Sequence, residues 1–238
     1  MTNLPADTRI LSIDIGGSKV KAAILNAEGV LETPYEKVAT PVVATPAALV
    51  DTIKKLAGSH DVYQYISVGF PGYVRDGIVH TAPNLGTPAW KGFPLQKTLE
   101  ECLQKPVQVI NDADLQGLGV VSGKGLEMVI TLGTGFGTAL LLDGKLLPHL
   151  EMAHHPLTKS QTYDQYVGAT ALESCGLEKW NIRMQQVLGI LQTVFNYDRL
   201  YISGGNAKKL NFLLAKNIII VSNKDGIKGG ARLWHNIS

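Results

Sequence analysis

Twice in this chain an aliphatic, β-branched run stops at a small-residue turn and resumes as a second such run. Ile10–Ile15 and Val20–Asn26 flank Gly16-Gly17-Ser18, while Val129–Leu132 and Thr138–Leu142 flank Gly133-Thr134-Gly135-Phe136-Gly137. Each pair predicts a β-hairpin. A gapless alignment of Gly16 with Gly133 sets Ala22 on Ala139 and Ile24-Leu25-Asn26 on Leu141-Leu142-Asp143. Two unrelated hairpins of similar make-up would look the same. The other reading is an internal duplication with one phosphate-gripping hairpin in each half.

Helical and strand patterns fill the rest in alternation. Gly29 leads into a weaker strand through Val38, and Thr45-Pro46 pairs a capping threonine with proline at the first helical position. Ile66–Phe70 and Val107–Ile110 read as short buried strands, with a helix over Phe93–Leu103 between them. Leu177, Met184, Val187, Leu188, Leu191, Val194 and Phe195 recur at helical spacing and predict the buried face of a long helix. Arg199–Ile202 and Ile218–Val221 are further strands, a helix is expected from about Ala207, and Ile227–Trp234 reads as a closing helix.

The chain has 238 residues, 45% of them hydrophobic, enough for one large domain or two small lobes with a real core. A net charge of +2 gives no field for nucleic acid, and no basic run is longer than a pair such as Lys208-Lys209. Cys102 and Cys175 form neither a disulfide framework nor a zinc spacing, so a reduced, cytoplasmic protein is expected. The start shows no secretory signal. The richest apolar stretch, Met128–Leu147, is broken by four glycines and two charges and does not predict a membrane span.

Asp14-Ile15-Gly16-Gly17-Ser18 offers glycines whose backbone N–H groups can approach an anion, a serine hydroxyl, and a carboxylate at the end of a buried strand. The same residues serve in ordinary hairpin turns. Leu132–Thr138 has the glycine density of a dinucleotide fingerprint, but a β-type run follows it where that fingerprint needs a helix. A P-loop ending is absent too, which leaves a hairpin loop around a phosphate or a purely structural turn. Asn111-Asp112 closes a strand where α/β proteins place ligands, and a carboxylate there suits a general base. Both residues are also good helix caps. Glu151 and His154, three apart, can fork hydrogen bonds to neighbouring hydroxyls, or can simply be surface residues.

Taken in order, Asp14–Ser18, Phe70-Pro71-Gly72, Ala82-Pro83-Asn84, Val109–Ala113, Thr131–Gly137, Glu151–His154 and Ile202–Lys209 span nearly the whole chain. In that order it resembles the ROK family (repressors, open reading frames and kinases), most closely its polyphosphate glucokinase branch. The resemblance implies an α/β, two-lobed, actin-like ATPase fold of the ribonuclease-H-like type, with a cleft between the lobes. The expected division is residues 1–113, residues 114–225, and a closing helix over 226–238 packed back on the N-terminal lobe. Asp112 would be the general base on a sugar 6-hydroxyl. Asn84, Asn111, Asp112, Glu151, His154 and, by a gapped placement, Glu173 would bind the sugar. Asp14, Gly16, Gly17 and Ser18, then Gly133, Thr134 and Gly135, then Gly204, Gly205 and Lys208 would contact phosphate. Asp14 would also meet Mg²⁺ through phosphate or water, and Gly204-Gly205 would open a helix facing the donor.

Three departures shape the expectation. Pro156–Glu173 lacks the cysteines of the family's zinc segment, so no zinc is expected. No DNA-binding helix-turn-helix precedes the first strand. Ala153 stands where the family has glycine before the histidine. The implied activity is phosphoryl transfer from polyphosphate, or from ATP, to glucose, by a cytoplasmic homodimer with no nucleic-acid or membrane partner. An ATP-dependent kinase of another hexose and a non-catalytic sugar-binding regulator are the competing readings.

Overall fold

The computed structural model describes residues 4–60, 62–86, 88–222 and 226–235. The chain forms two compact units, Met1–Gly119 with Lys224–Ser238, and Val120–Asn223. In the first, β1 (Arg9–Ile15), β2 (Lys19–Asn26) and β3 (Glu36–Ala39) form an antiparallel meander. Next come α1 (Pro46–Gly58), β4 (Tyr65–Phe70), the small hairpin of β5 (Val74–Arg75) and β6 (Ile78–Val79), α2 (Leu95–Leu103), β7 (Val107–Asn111) and α3 (Asp112–Val120). β4 and β7 join the meander as parallel strands, giving the order β3-β2-β1-β4-β7.

α1 starts where its sequence predicts. The Thr45 hydroxyl accepts a hydrogen bond from the Ala48 amide at 3.2 Å, and Pro46 fills the position that needs no N–H donor. Leu49, Ile53 and Leu56 then fall on one face and pack with Leu11, Ile13, Val68 and Phe70 of the sheet.

The other sheet face carries Ile10, Ala23 and Leu25, covered by Ile227, Ala231 and Trp234 near the C-terminus. Ser12 and Ser67 donate to the carbonyls of Ile227 and Gly230, and the Trp234 indole donates to the Ser67 hydroxyl. The expected closing helix is interrupted: within Ile227–Trp234 only α6 (Gly229–Arg232) is α-helical, with turns on either side, and positions 236–238 of the expected segment lie outside the described residues. A Cβ on Gly229 would overlap the Leu115 carbonyl, and one on Gly230 the Ser12 hydroxyl. Close packing on the sheet therefore shapes this segment more than helix propensity does.

The second unit repeats the plan. β8 (Leu126–Leu132), β9 (Phe136–Leu142) and β10 (Lys145–Leu146) form a meander; α4 (Tyr163–Val167) and α5 (Ala169–Phe195) follow; β11 (Arg199–Ser203) and β12 (Ile218–Ile220) add in parallel. The order β10-β9-β8-β11-β12 matches the first sheet strand for strand. The hairpin registers also match, with one difference. Four residues separate the paired Ile15 and Val20, but three separate Leu132 and Phe136. The gapless alignment is thus one residue out beyond the turn: Ala22 corresponds to Thr138, and Ile24-Leu25-Asn26 to Leu140-Leu141-Leu142.

α5 bends at Gly176, where φ is 78°. Met184, Val187, Leu188 and Leu191 line the core as expected, but Leu177 beside the bend and Val194 in the last turn are exposed. Their spacing matches the buried stripe, but their places at the bend and the helix end put them outside it.

Glu127 of β8 is fully buried and is met by five donors: the Ser122, Gly123 and Lys124 amides and the Ser122 and Tyr201 hydroxyls. Burial pushes its pKa up, but these hydrogen bonds outweigh burial and hold it below the ordinary glutamate value. The folded state therefore gains stability from the carboxylate above the unfolded pKa of about 4.3, and loses it as pH falls through the lower folded pKa. Glu127→Gln turns one acceptor oxygen into a donor facing donors. It is expected to cost about 3 kcal/mol in denaturant unfolding at pH 7, with the gap to wild type narrowing below about pH 4. A pH-independent gap would rule out the charge as the cause.

Candidate active site

The C-terminal ends of parallel strands β1, β4 and β7 carry Asp14, Phe70-Pro71-Gly72 and Asn111-Asp112 on one edge of the first sheet. Parallel α/β sheets bind ligands at this edge. The first glycine turn closes with the Gly16 amide donating to the Lys19 carbonyl at 2.9 Å, and the Thr40 hydroxyl donates to the Gly16 carbonyl at 2.7 Å. Ser18 accepts from the Thr40 amide through its carbonyl. A Cβ on Gly17 would lie 3.8 Å from the Asn84 carbonyl oxygen, so the 3₁₀ turn Pro83–Leu85 sets Asn84 against this turn.

Asp14 has a partner that sequence reasoning missed. Lys21 lies directly across from it in β2, and its ammonium sits 2.8 Å from Oδ2 of Asp14. The side chains are 16% and 30% exposed, so the pair borders solvent. The signal was the seven-residue spacing around the hairpin, which becomes legible only once the register is known.

Asn111 is buried and occupied by the fold. Its amide nitrogen donates to the Gly72 carbonyl at 3.0 Å, and its oxygen accepts from the Ala113 and Asp114 amides at the start of α3. It therefore caps α3 and ties that helix to the Phe70-Pro71-Gly72 turn. Asp112 is half-buried as the first residue of α3, with Oδ1 accepting from the Ala113 amide at 2.9 Å. A Cβ on Gly69 would lie 3.2 Å from the Asp112 Cα. Gly69 is in register with Asp14, so the glycine lets α3 drop onto the sheet beside that carboxylate.

In the second unit the glycine turn is held from several sides. The Gly133 amide donates to the Gly135 carbonyl at 3.1 Å, and the Asn206 side chain donates to the Gly133 carbonyl at 3.1 Å. The Thr134 carbonyl accepts from the Ala169 amide, and Asp164 Oδ1 accepts from the Phe136 amide at 2.9 Å. Gly204 has φ 98°, and a Cβ there would overlap the Leu132 backbone, so β11 passes tight behind the turn. Gly16, Gly17, Gly133, Gly135 and Gly205 all lie outside the positive-φ region. At Gly133 and Gly205 an added Cβ would meet nothing within 4 Å. Neither backbone conformation nor crowding within the chain requires glycine at these two positions.

The helix expected after Gly205 is a single 3₁₀ turn, Ala207–Lys209. Asn181 of α5 donates to the Lys209 carbonyl and accepts from the Asn211 amide, taking up the backbone groups a helix would have used. Lys208 is exposed on this turn, with no helix dipole behind it.

Glu151 caps and His154 ends a 3₁₀ turn, Met152–His154, packed against β9 and α4. Their carboxylate and imidazole are 3.8 Å apart. Glu173 is exposed on the second turn of α5. A cavity of about 370 Å³ opens beside Thr134, lined among others by Gln161, Asp164, Gln165, Thr170 and Ser174. Among the described residues no group of three or more His, Cys, Asp or Glu is placed to hold a metal ion, and no helix is long and apolar enough to cross a membrane.

Known proteins similar to this chain include sugar kinases. The polyphosphate glucokinase of Mycobacterium leprae (strain TN) is 31% identical over 227 residues, covering 87% of this chain and 68% of that protein. The N-acetylmannosamine kinase of Escherichia coli (strain SMS-3-5 / SECEC) is 38% identical over 144 residues, covering 58% of this chain and 48% of that one. Among solved structures, the inorganic polyphosphate/ATP-glucomannokinase of Arthrobacter sp. strain KM superposes with a TM-score of 0.86 at 29% identity, covering 95% of this chain and 98% of its own. The fold is the mixed α/β, actin-like ATPase fold of these kinases. With residues 10–161 matching the ROK family, the chain belongs to that family and is a sugar kinase.

Proposed function

We propose that this chain transfers a phosphoryl group from polyphosphate to the 6-hydroxyl of glucose, with Asp112 as general base. The observation that carries this reading is the placement of Asp112. Its carboxylate stands at the ligand-side edge of the first sheet, on the helix that Gly69 lets down beside Asp14. A carboxylate there can take the hydroxyl proton as oxygen attacks phosphorus. Asn84, Asp112, Glu151, His154 and Glu173 are assigned to the hexose. Asn111 contributes by fixing the start of α3. Gly16, Gly17 and Ser18, with Gly133, Thr134, Gly135, Gly204, Gly205 and Lys208, are assigned to the donor's phosphates. The polyphosphate glucokinase relatives support that donor.

Asp14 fits the expected Mg²⁺ in a limited way. Lys21 engages Oδ2, which leaves Oδ1 to meet the cation or its water, while the neighbouring ammonium disfavours direct ligation. That matches a cation carried mainly by phosphate oxygens and water, with Asp14 as an outer contact. When bound, Mg²⁺ would offset charge on the donor. Lys21 does part of that work from the protein. Lys21→Met leaves the Asp14 charge uncompensated beside the first turn, where it repels phosphate. It is expected to lower turnover about 100-fold, with hexose KM little changed and partial recovery in Lys21→Arg. Unchanged turnover in Lys21→Met would leave Lys21 a purely structural partner.

ATP is favoured as a second donor by the cavity beside Thr134. Its lining of hydroxyls, carboxamides and one carboxylate, without lysine or arginine, suits a neutral nucleoside better than further phosphates. The test is an activity matrix of polyphosphate and ATP against glucose, mannose and N-acetylmannosamine with Mg²⁺. The largest kcat/KM is expected for polyphosphate with glucose. Tight hexose binding without product from either donor would replace the kinase by a sugar-binding regulator. A cytoplasmic homodimer completes the proposal, to be checked by sedimentation.

A further inference from the structure

His149 has no place in the motif that marked out Glu151 and His154, yet it stands against the same carboxylate. After β10 the chain keeps running along β9: the Leu147 amide donates to the Leu140 carbonyl at 2.9 Å, and the Thr138 hydroxyl donates to the Leu150 carbonyl at 3.0 Å. This carries Glu151 to the beginning of β9, next to the second glycine turn. On the way it buries the His149 imidazole, which is 7% exposed, against 27% for the Glu151 side chain and 53% for His154.

The carboxylate stands between the two imidazoles. His149 Nε2 lies 3.5 Å from Oε1, and His154 Nε2 lies 3.8 Å from Oε2. Oε1 is buried and makes no hydrogen bond among the described residues, a costly state for a carboxylate oxygen. A shift of a few tenths of an ångström brings the His149 ring nitrogen into hydrogen-bonding range. Exposure separates the roles. His154 and Glu151 can reach a ligand from solvent, and His149 is too deeply buried to do so.

We infer that His149 is a positioning residue for hexose recognition: from behind the site it holds Oε1 of Glu151, so that Oε2 faces a sugar hydroxyl in a fixed direction. This rests on the assignment of Glu151 to the hexose. A carboxylate fixed at one oxygen keeps the other aimed and loses less rotamer freedom on binding. With the imidazole gone, Glu151 rotates and the sugar loses one charge-assisted hydrogen bond.

A mutant cycle on the full chain tests this, reading hexose KM, donor KM and kcat for His149→Phe, His149→Asn, Glu151→Gln and the double variant His149→Phe/Glu151→Gln. His149→Phe is expected to raise hexose KM about tenfold, the worth of one hydrogen bond to a charged group, with donor KM unchanged. His149→Asn, which keeps an N–H donor, is expected to recover most of the loss. In the Glu151→Gln background, His149→Phe should add little, because its target is gone. Should phenylalanine overpack the site, His149→Ala takes its place in the same cycle. A raised hexose KM for Glu151→Gln beside an unchanged one for His149→Phe overturns the positioning role alone. Equal effects of His149→Phe in both backgrounds overturn it as well. Wild-type hexose KM in Glu151→Gln overturns the assignment of Glu151, and the inference with it.

Discussion

Asp112→Asn is expected to bind hexose nearly as well as wild type while losing about 10²–10⁴ of its turnover, the usual contribution of a general base. The substitution suits the site because asparagine has the same shape, and its side-chain oxygen can still accept from the Ala113 amide as Oδ1 does now. The cap on α3 comes from Asn111, which the change leaves in place. The thermal midpoint should therefore hold, and the loss should appear in kcat with hexose KM within about twofold. Equilibrium binding of glucose alongside steady-state kinetics would separate the two. Turnover near that of wild type would remove Asp112 from the base's role and leave it a helix residue beside a ligand edge.

Much of the fold is legible in the sequence because local rules and tertiary packing agree there. Both hairpins follow from β-branched runs around small-residue turns, and α1 begins at Thr45-Pro46 because cap and proline both specify it. The failures lie where tertiary contacts decide. Nothing local to Ala207–Lys209 shows that Asn181, far back in the chain, will take the Lys209 carbonyl and the Asn211 amide and stop a helix. Nothing in Gly229-Gly230 shows that both glycines are there to clear Leu115 and Ser12. Lys21 was invisible for a related reason, since cross-strand pairs depend on register, and the two hairpin turns differ in length by one residue. The candidate site is half legible. Asp14, Asn84 and Asp112 are recognisable as residue types at strand and turn ends. That Asn111 is spent on capping α3 and holding Gly72, and that His149 lies behind Glu151, are facts of packing.

Gly133→Val should show that the second glycine turn is shaped for something outside the chain. Glycine usually earns its position through a left-handed φ or a crowded Cβ, and Gly204 shows both: φ is 98°, and a Cβ would overlap the Leu132 backbone. Gly133 shows neither, since its φ lies outside that region and an added Cβ meets nothing within 4 Å. The fold should therefore accept a side chain there, with unfolding free energy within about 1 kcal/mol of wild type, as for an uncrowded surface position. A phosphate seated on the Gly133–Gly135 backbone would not accept it, because the branched side chain fills the space through which the amides reach the anion. Donor KM is expected to rise, or kcat/KM for donor to fall, by about 100-fold, the scale of a 1 Å misplacement of reacting groups. Hexose binding should be unaffected. Unchanged donor kinetics in a folded Gly133→Val protein would make the turn a plain hairpin and move the donor's phosphates elsewhere. Loss of stability instead would place the glycine requirement inside the fold, where the geometry around Gly133 gives no reason for it.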